Sequence, residues 1–333
     1  MTDRLRVAVL GGGRSSEHDV SLRSAESVAT GLDPARFDVE RITISREGVW
    51  TTVDGAVVSV TPGQGGPLGC DVVFPVLHGP FGEDGTVQGL LEMLNVAYVG
   101  SGVLGAALTM DKERCKAALR DAGIDVAREV VVGPDDDRGT VRARIEDELG
   151  FPVFVKPARL GSSVGISRVE AAFDFDAALD LALAHDDKVL VEELLVGKEV
   201  ECSVLGLPPV LTTSVVGEIT YAAEWYDYEA KYAAGGSGLV TPAEIPTEVS
   251  DRLRAEAARA FTVCDCHGMA RVDFFYTSGG RLVLNEINAI PGFTATSYYA
   301  RMFEATGIAY ADLLTRLVDL AVERHARNAD LLR

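Results

Sequence analysis

The first hundred residues alternate between short apolar runs and stretches whose apolar residues recur at helical spacing. The apolar runs predict strands at Arg6–Leu10, Phe37–Ser45, Val72–Leu77 and Val96–Val99, and the periodic stretches predict helices at Glu17–Thr30 and Thr86–Leu94. This order predicts an open, mostly parallel α/β sheet, which binds ligands at the carboxyl ends of its strands. The loops Gly11–His18 and His78–Gly85 lie at such ends.

Residues 101–195 predict a second unit that mixes helices and strands, beginning with a helix over Val103–Ala122. The apolar strand Phe151–Lys156 leads into Pro157–Gly165, a loop rich in Gly and Ser that can cover a phosphate group with backbone N–H groups. Lys156, at the end of that strand, is a candidate phosphate ligand. An ordinary flexible loop is the alternative, since the GxxxxGKS/T sequence of a Walker A loop does not occur.

Residues 196–333 predict a third unit, which contains a polar segment and a hairpin. The segment Thr220–Gly238 is rich in Tyr, ends in glycines and is too polar for a core, which is typical of an active-site lid. The hairpin begins at Met269 and turns at Thr277–Gly280.

Arg271 and Asp273 share one face of the first hairpin strand, because side chains on a strand alternate between faces. We expect Tyr276 to pair with Arg281 next to the turn. Arg271 then lies opposite Glu286 on the second strand, and Asp273 is a diagonal neighbour of Glu286.

Three oxygen donors, Asp273, Glu286 and Asn288, therefore gather on one patch of the predicted hairpin. Leu282 and Leu284 are expected on the same face as Glu286. Oxygen donors without Cys or His suit Mg²⁺, which usually sits between one or two carboxylates and substrate phosphates. The alternative is a solvated sheet face with a chance cluster of polar groups.

The net charge and the lengths of the apolar runs limit the classes of function that we expect. The chain has 333 residues, and its 31 Lys and Arg against 50 Asp and Glu give a net charge of −19. This balance argues against nucleic acid or an anionic membrane as a partner. No apolar run has the length of a signal peptide or a membrane span, and the five cysteines do not form a disulfide framework, so we expect a cytoplasmic protein.

Two short motifs have competing explanations. Gly100–Gly105 fits GxGxxG, but it follows several strands, so tight packing of glycines explains it better than a nicotinamide site. Cys264, Cys266 and His267 are possible zinc ligands, but their spacing is not that of a known finger or ribbon, and a structural role is expected.

Several motifs in fixed order resemble the D-alanine:D-alanine ligases of the ATP-grasp superfamily over essentially the whole chain. They include GGGRSSEHDVSLRS, LHGPFGEDGTVQG, FPVFVKPARLGSSVGIS, YDYEAKY, GMARVDFF and LNEINAIPGFT. The resemblance implies an ATP-grasp fold of class α/β with three domains. These would be an open parallel α/β sheet at 1–100, and two α+β domains at 101–195 and 196–333 that clamp ATP, with a lid at 220–238.

The resemblance also implies a nucleotide and metal site. The implied magnesium ligands are Asp273, Glu286 and Asn288. Lys112 and Lys156 would contact the ATP phosphates, below a loop that carries Ser162. Glu192 and Leu195 would border the adenine, and Glu199 the ribose. The implied cofactors are ATP and Mg²⁺, with two ions expected and Mn²⁺ as a possible substitute.

The implied substrate residues come from all three predicted units. Glu17 would hold the ammonium group of the first D-alanine, with His78 near it. Arg271 and the Gly292 amide would stabilise the oxyanion. The second amino acid would be bordered by Lys231, Tyr232, Ser297 and Tyr298, and Glu17, Ser162 and Tyr232 would form a hydrogen-bonded link that closes the lid.

Two residues depart from the family pattern: Ala289 replaces the usual Thr, and Tyr298 replaces Leu or Met near the acceptor. The resemblance implies a homodimer that joins two D-alanines through D-alanyl phosphate for peptidoglycan precursors. A sibling ligase that uses D-serine or another small D-amino acid is one alternative. A catalytically inactive nucleotide-binding regulator is another, against which the joint presence of the lysines and the oxygen donors argues.

Overall fold

The computed structural model describes residues 4–161, 164–221 and 237–331. Ser162, Lys231, Tyr232 and nearly all of the predicted lid at 220–238 lie outside the described residues. Among the helices that are described, none combines the length and the apolar composition needed to cross a membrane.

The first sheet confirms the predicted parallel α/β arrangement. Its strands are β1 (Leu5–Gly12), β2 (Phe37–Ile44), β3 (Trp50–Thr52), β4 (Val72–Pro75) and β5 (Ala97–Tyr98), with helices α1 (His18–Gly31) and α2 (Thr86–Leu94). The strand order is β3-β2-β1-β4-β5, and all pairs are parallel except β2 with β3. The loops after β1 and β4 therefore leave the same edge of the sheet.

The single helix predicted over Val103–Ala122 is wrong, because the chain forms α3 (Val103–Met110) and α4 (Lys112–Asp121) with a break at Asp111. Asp111 has extended backbone angles, and its side chain accepts a hydrogen bond from the Arg114 backbone N–H at 3.2 Å. Aspartate at such a position caps a helix by satisfying a backbone donor of the first turn. The break places Lys112 at the start of α4.

Gly105 lies in α3, and a Cβ added there would lie 2.3 Å from the carbonyl oxygen of Asp265. Only glycine permits this close approach of two backbone segments. Tight packing therefore explains the last glycine of the GxGxxG match.

The central sheet is antiparallel, with the order β6-β9-β7-β8. Its elements are β6 (Glu129–Val132), α5 (Arg138–Glu148), β7 (Val153–Pro157), β8 (Ser167–Val169), α6 (Phe175–Leu183) and β9 (Val189–Glu193). Lys156 lies near the end of β7, directly before the phosphate-loop candidate, as the sequence predicts.

The third sheet is also antiparallel, with the order β12-β11-β10-β13-β14. Its elements are β10 (Gly197–Leu207), β11 (Val210–Tyr221), β12 (Ser237–Val240), α7 (Thr247–Val263), β13 (Gly268–Thr277), β14 (Leu282–Asn288), α8 (Tyr298–Ala305) and α9 (Tyr310–Leu331). The hairpin β13–β14 carries the predicted metal ligands.

One hydrophobic core joins the first sheet to the C-terminal helices. Phe74 of β4 packs edge-on against Phe293, which in turn contacts Tyr299 of α8, and Leu313 and Leu317 of α9 belong to the same cluster. Burial of large aromatic rings makes such a contact strongly stabilising. It fixes the edge of the first sheet beside the end of β14.

Candidate active site

The predicted register of the β13–β14 hairpin is wrong by one position next to the turn and by two positions beyond Phe274, where Arg271 pairs with Asn288 and not with Glu286. Tyr276 pairs with Leu282, not with Arg281. Asp273, which was expected to be a diagonal neighbour of Glu286, lies directly opposite it. The two carboxylates are therefore direct cross-strand neighbours, whereas the sequence predicts a diagonal pair.

The displacement by one position begins at the turn, where the five residues Thr277–Arg281 separate Tyr276 from Leu282, and a β-bulge at Asn285 adds a second position. The ladder pairs Leu284 and Glu286 with successive residues of β13 and leaves Asn285 without a partner in the register. A bulge of this kind shifts the residues after it to the other face. Leu282 and Leu284 consequently pack in the core with Ile287, whereas Glu286 lines a cavity, so the expectation that Leu282, Leu284 and Glu286 share a face is also wrong.

Two adjoining cavities lie between the three sheets, with volumes of about 520 and 640 Å³. They share part of their walls, including Lys156, Glu199, Phe275 and Asn285. The first cavity is lined by Glu17, His78, Lys112, Lys156, Glu199, Arg271, Asp273, Glu286, Asn288, Gly292, Ser297 and Tyr298. The second is lined by Lys156, Glu192, Leu195 and Glu199. The structure thus brings together all of the predicted site residues that it describes.

The predicted metal ligands form a compact set of oxygen donors. The Asn288 side-chain amide donates to Asp273 Oδ2 at 2.9 Å, and Lys112 Nζ lies 3.4 Å from Glu286 Oε2. In the described part of the chain, no group of three or more His, Cys, Asp or Glu side chains could hold a metal ion by itself. Two facing carboxylates and an amide beside a cavity fit Mg²⁺, since this ion takes its remaining ligands from phosphates and water.

Arg271 lies opposite Asn288 and is held by two carboxylates. Its Nε and Nη2 donate to the two oxygens of Asp273 at 2.8 and 2.7 Å, and its Nε lies 3.2 Å from Glu201 Oε2. Burial disfavours the charged guanidinium, but Asp273 and Glu201 outweigh burial and raise the pKa of Arg271 well above its usual value. Arg271 is therefore a fixed cation in the cavity wall. Sequence reasoning missed Glu201, which faces Asp273 from β10.

The two candidate phosphate lysines are buried. Lys112 Nζ donates to the Leu160 carbonyl at 2.7 Å, which ties the start of α4 to the phosphate loop. Lys156 Nζ forms an ion pair with Glu192 Oε2 at 2.6 Å. Burial lowers the pKa of Lys156 although Glu192 opposes this shift. An incoming phosphate would restore part of the solvation that Lys156 lacks.

His78 holds the loop after β14 and does so as a neutral ring. Its Nδ1 lies 3.0 Å from the Ile290 carbonyl, which can only accept, so Nδ1 carries the proton. Its Nε2 then accepts from the Ser24 hydroxyl at 3.0 Å. Burial lowers the pKa of His78, consistent with the neutral form. Glu17, the residue before α1, lines the cavity beside it.

Glu83 is a cavity residue that sequence reasoning missed, although it stands in the LHGPFGEDG motif. Its two carboxyl oxygens accept from the backbone N–H groups of Gly79 at 2.7 Å and Ile290 at 3.1 Å. Burial, reinforced by the nearby charge of Glu17, raises the pKa of Glu83 to about 8. Both backbone polar groups of Ile290 are therefore held by the loop after β4.

The predicted acceptor residues lie where the chain turns from β14 into α8. Ser297 Oγ accepts from the Thr294 backbone N–H at 2.9 Å, and a Cβ added at Gly292 would contact Ser297 Oγ at 3.5 Å. Tyr298 follows in the cavity wall. Ala289 is buried at 2% exposure and is not part of the cavity wall, so its departure from the family pattern is not a direct change in the pocket.

Comparison with known proteins gives a consistent assignment. The chain matches the family models for the D-ala D-ala ligase C-terminus over residues 118–319 and the D-ala D-ala ligase N-terminus over residues 6–66 and 58–101. A D-alanine–D-alanine ligase of Deinococcus radiodurans is 49% identical over 340 residues, covering 96% of this chain and 98% of that relative.

Solved structures of such enzymes share the fold. The D-alanine–D-alanine ligase of Coxiella burnetii superimposes with a TM-score of 0.91 at 34% identity, covering 100% of this chain and 98% of that one. The VanG D-Ala:D-Ser ligase of Enterococcus faecalis gives a TM-score of 0.87 at 37% identity, covering 96% and 100%. These matches confirm the ATP-grasp fold. The chain belongs to the D-alanine–D-alanine ligase family.

Proposed function

We propose that the two cavities form the active site of an ATP-dependent ligase that joins two D-alanines, with ADP and phosphate as the other products, for peptidoglycan precursors. The observation that carries the proposal is the facing pair Asp273 and Glu286, with Lys112 beside Glu286 and Lys156 in the wall of the same cavity. Oxygen donors and lysines around one cavity are the groups that phosphoryl transfer requires.

The reaction needs a phosphorylation step, because a carboxylate is a poor electrophile. The carboxylate of the first D-alanine attacks the γ-phosphorus of ATP and forms D-alanyl phosphate, while the bond from that phosphorus to ADP breaks. Lys112 and Lys156 would orient the phosphates. Mg²⁺, held by Asp273, Glu286 and Asn288, would offset the charge that collects on the transferring group. Glu17 would hold the first ammonium group beside this centre.

The second step forms the amide. The amine of the acceptor loses a proton, attacks the acyl carbon and expels phosphate from the tetrahedral intermediate. Arg271 and the Gly292 N–H would stabilise the oxyanion of that intermediate. The fixed orientation of Arg271 between Asp273 and Glu201 supports this role, since a preorganised donor needs no rearrangement during the reaction.

The proposed lid link of Glu17, Ser162 and Tyr232 would exclude water from the acyl phosphate, and Lys231 would border the acceptor. Its support is the motif YDYEAKY and the position of Glu17 in the cavity wall. The proposed second Mg²⁺, the substitution by Mn²⁺, the homodimer and the cytoplasmic location rest on the family resemblance.

A second acceptor, D-serine, is supported by two observations. Tyr298 stands in the cavity wall where the family pattern has Leu or Met, and the VanG D-Ala:D-Ser ligase is among the similar structures. One methylene in a pocket is worth only about 1–3 kcal/mol of discrimination, so a single wall residue can alter acceptor choice.

The release of ADP with and without D-alanine tests the proposed function. An ATP-dependent ligase forms ADP only when D-alanine is present, whereas a nucleotide-binding regulator shows no turnover that depends on the amino acid. Addition of hydroxylamine would trap D-alanyl phosphate as D-alanine hydroxamate. Turnover without the hydroxamate would contradict the proposed intermediate.

A further inference from the structure

A chain of alternating charges crosses the central domain and ends at Lys156. Arg120 Nη2 lies 2.9 Å from Glu129 Oε1, and Glu129 Oε2 lies 2.9 Å from Lys116 Nζ. Lys116 Nζ also contacts Glu192 Oε1, and the other oxygen of Glu192 lies 2.6 Å from Lys156 Nζ. Each carboxylate thus divides its two oxygens between two cations.

Secondary structure places these groups together. Glu129 of β6 and Glu192 of β9 are directly paired in the central sheet, and Lys116 reaches both from α4. Lys116 is 1% exposed and is not part of either cavity wall. Lys116 therefore reaches the cavity through its neighbours: its Nζ contacts Glu192 and lies 3.4 Å from the carbonyl oxygen of Ala127, and both residues line the second cavity.

The buried members of this series of charged side chains have no net charge. They are two lysines, Lys116 and Lys156, and two carboxylates, Glu129 and Glu192, while Arg120 is about half exposed. Burying an ion is costly unless an opposite charge accompanies it, so loss of one member leaves an uncompensated charge in the interior. Loss of Lys116 would leave one excess negative charge beside Lys156.

The ionisation states agree with this balance. Burial alone would raise the pKa of Glu192, but the charges of Lys116 and Lys156 lower it to about 2. Burial alone would lower the pKa of Lys116, but Glu192 and Glu129 raise it. Glu192 and Lys116 are therefore both charged at neutral pH.

We infer that Lys116 is a positioning residue of the nucleotide site. It fixes Glu192 by one oxygen, so that the other oxygen orients Lys156 toward the cavity, and it cancels the negative charge that would otherwise repel the ATP phosphates. The inference rests on the proposed role of Lys156 as a phosphate ligand. Because Glu192 also lines the cavity proposed for the adenine, the inference assigns to Lys116 a larger effect on phosphate binding than on nucleoside binding.

The test compares the affinities of ATP, ADP, AMP and adenosine for Lys116→Met, measured by calorimetry with the full chain. We expect the ratio of ATP to adenosine affinity to fall about ten-fold or more, because a buried negative charge is left beside the phosphates. Lys116→Arg retains the charge and should restore much of the ratio. An unchanged ratio in Lys116→Met, with a lower melting temperature only, would overturn the inference.

Lys188→Met is the matched control. Lys188 also pairs with two carboxylates, Asp111 at 2.6 Å and Glu113 at 2.8 Å, but it does not touch Glu192. The Lys188→Met variant should have a lower melting temperature but an unchanged ratio of ATP to adenosine affinity. A fall in the ratio equal to that of Lys116→Met would show a general structural effect and overturn the inference.

Two further variants separate the possible failures. Lys156→Met should lower the ratio at least as much as Lys116→Met. If Lys156→Met lowers it and Lys116→Met does not, the inference fails and the phosphate role of Lys156 stands; if neither lowers it, the phosphate role fails as well. If Lys116→Met does not fold, Glu129→Gln provides a second test. This variant removes a buried negative charge, so it should raise the ratio of ATP to adenosine affinity. An unchanged or lower ratio would contradict the inference.

Discussion

Asp273 lies directly opposite Glu286 across the β13–β14 hairpin, and both side chains line the same cavity. This pairing depends on the bulge at Asn285, which turns Glu286 toward the cavity while Leu284 stays in the core. A regular hairpin could not satisfy both requirements, because side chains alternate strictly between faces. The bulge is therefore part of the active-site architecture.

Glu286→Gln should reduce kcat by about a hundred-fold or more, because one anionic oxygen is lost from the proposed Mg²⁺ site. The melting temperature should stay close to that of the wild type, since Glu286 lies in a cavity wall and not in the core. The measurement is ADP formation over a range of Mg²⁺ concentrations. Near-native turnover at ordinary Mg²⁺ would show that the ligand set is wrong.

Glu83 should make the stability of the protein depend on pH. Its pKa in the folded protein is about 8, against an ordinary value of 4.5, so folding favours the protonated form. Its contribution to stability is complete below the ordinary value and is lost as the pH rises through about 8. Thermal melting of wild type and Glu83→Gln at about pH 6 and pH 9 checks this. The wild type should lose more stability over this range than the variant, and equal losses would contradict the prediction.

Tyr232→Phe keeps the ring and removes the hydroxyl that we expect to help close the lid. The variant should hydrolyse more ATP for each dipeptide formed, because water would reach the acyl phosphate. The measurement is the ratio of ADP to dipeptide. A ratio equal to that of the wild type would count against a sealing role for this residue.

Tyr298→Met introduces a residue that is usual in the family, so it should move acceptor preference toward the ordinary D-alanine pattern if Tyr298 lines the acceptor pocket. The shift should be modest, about ten-fold between acceptors, which is the scale of one wall contact. Relative kcat/KM values for D-alanine, D-serine and D-lactate in both proteins provide the comparison. Identical profiles would remove Tyr298 from the acceptor pocket, and preference of the wild type for D-lactate at neutral pH would contradict an amide product.

The sequence predicted the chemistry of the site better than its geometry. Asp273, Glu286 and Lys156 could be chosen from ligand type and strand position, whereas the register could not, because the sequence pattern signals neither the five-residue turn Thr277–Arg281 nor the bulge at Asn285. The break at Asp111 was missed because the flanking residues all suit a helix, although Asp is a common helix cap.

The residues that sequence reasoning missed share one property. Glu83, Glu201 and Lys116 acquire their roles from contacts with segments far away in the chain. Local periodicity carries no information about such contacts. Glu83 and Lys116 stand in or beside segments already chosen for other residues, so a search for every charged residue in those segments would have found them.

The central claim is that this cavity makes a peptide bond between two D-alanines at the expense of ATP. Its most direct test is mass spectrometry of the products after incubation with ATP, Mg²⁺ and a panel of D- and L-amino acids and D-lactate. We predict D-alanyl-D-alanine as the main product, formed in equal amount with ADP, and none without ATP. Formation of ADP without any dipeptide, or a main product that lacks D-alanine, would contradict the claim.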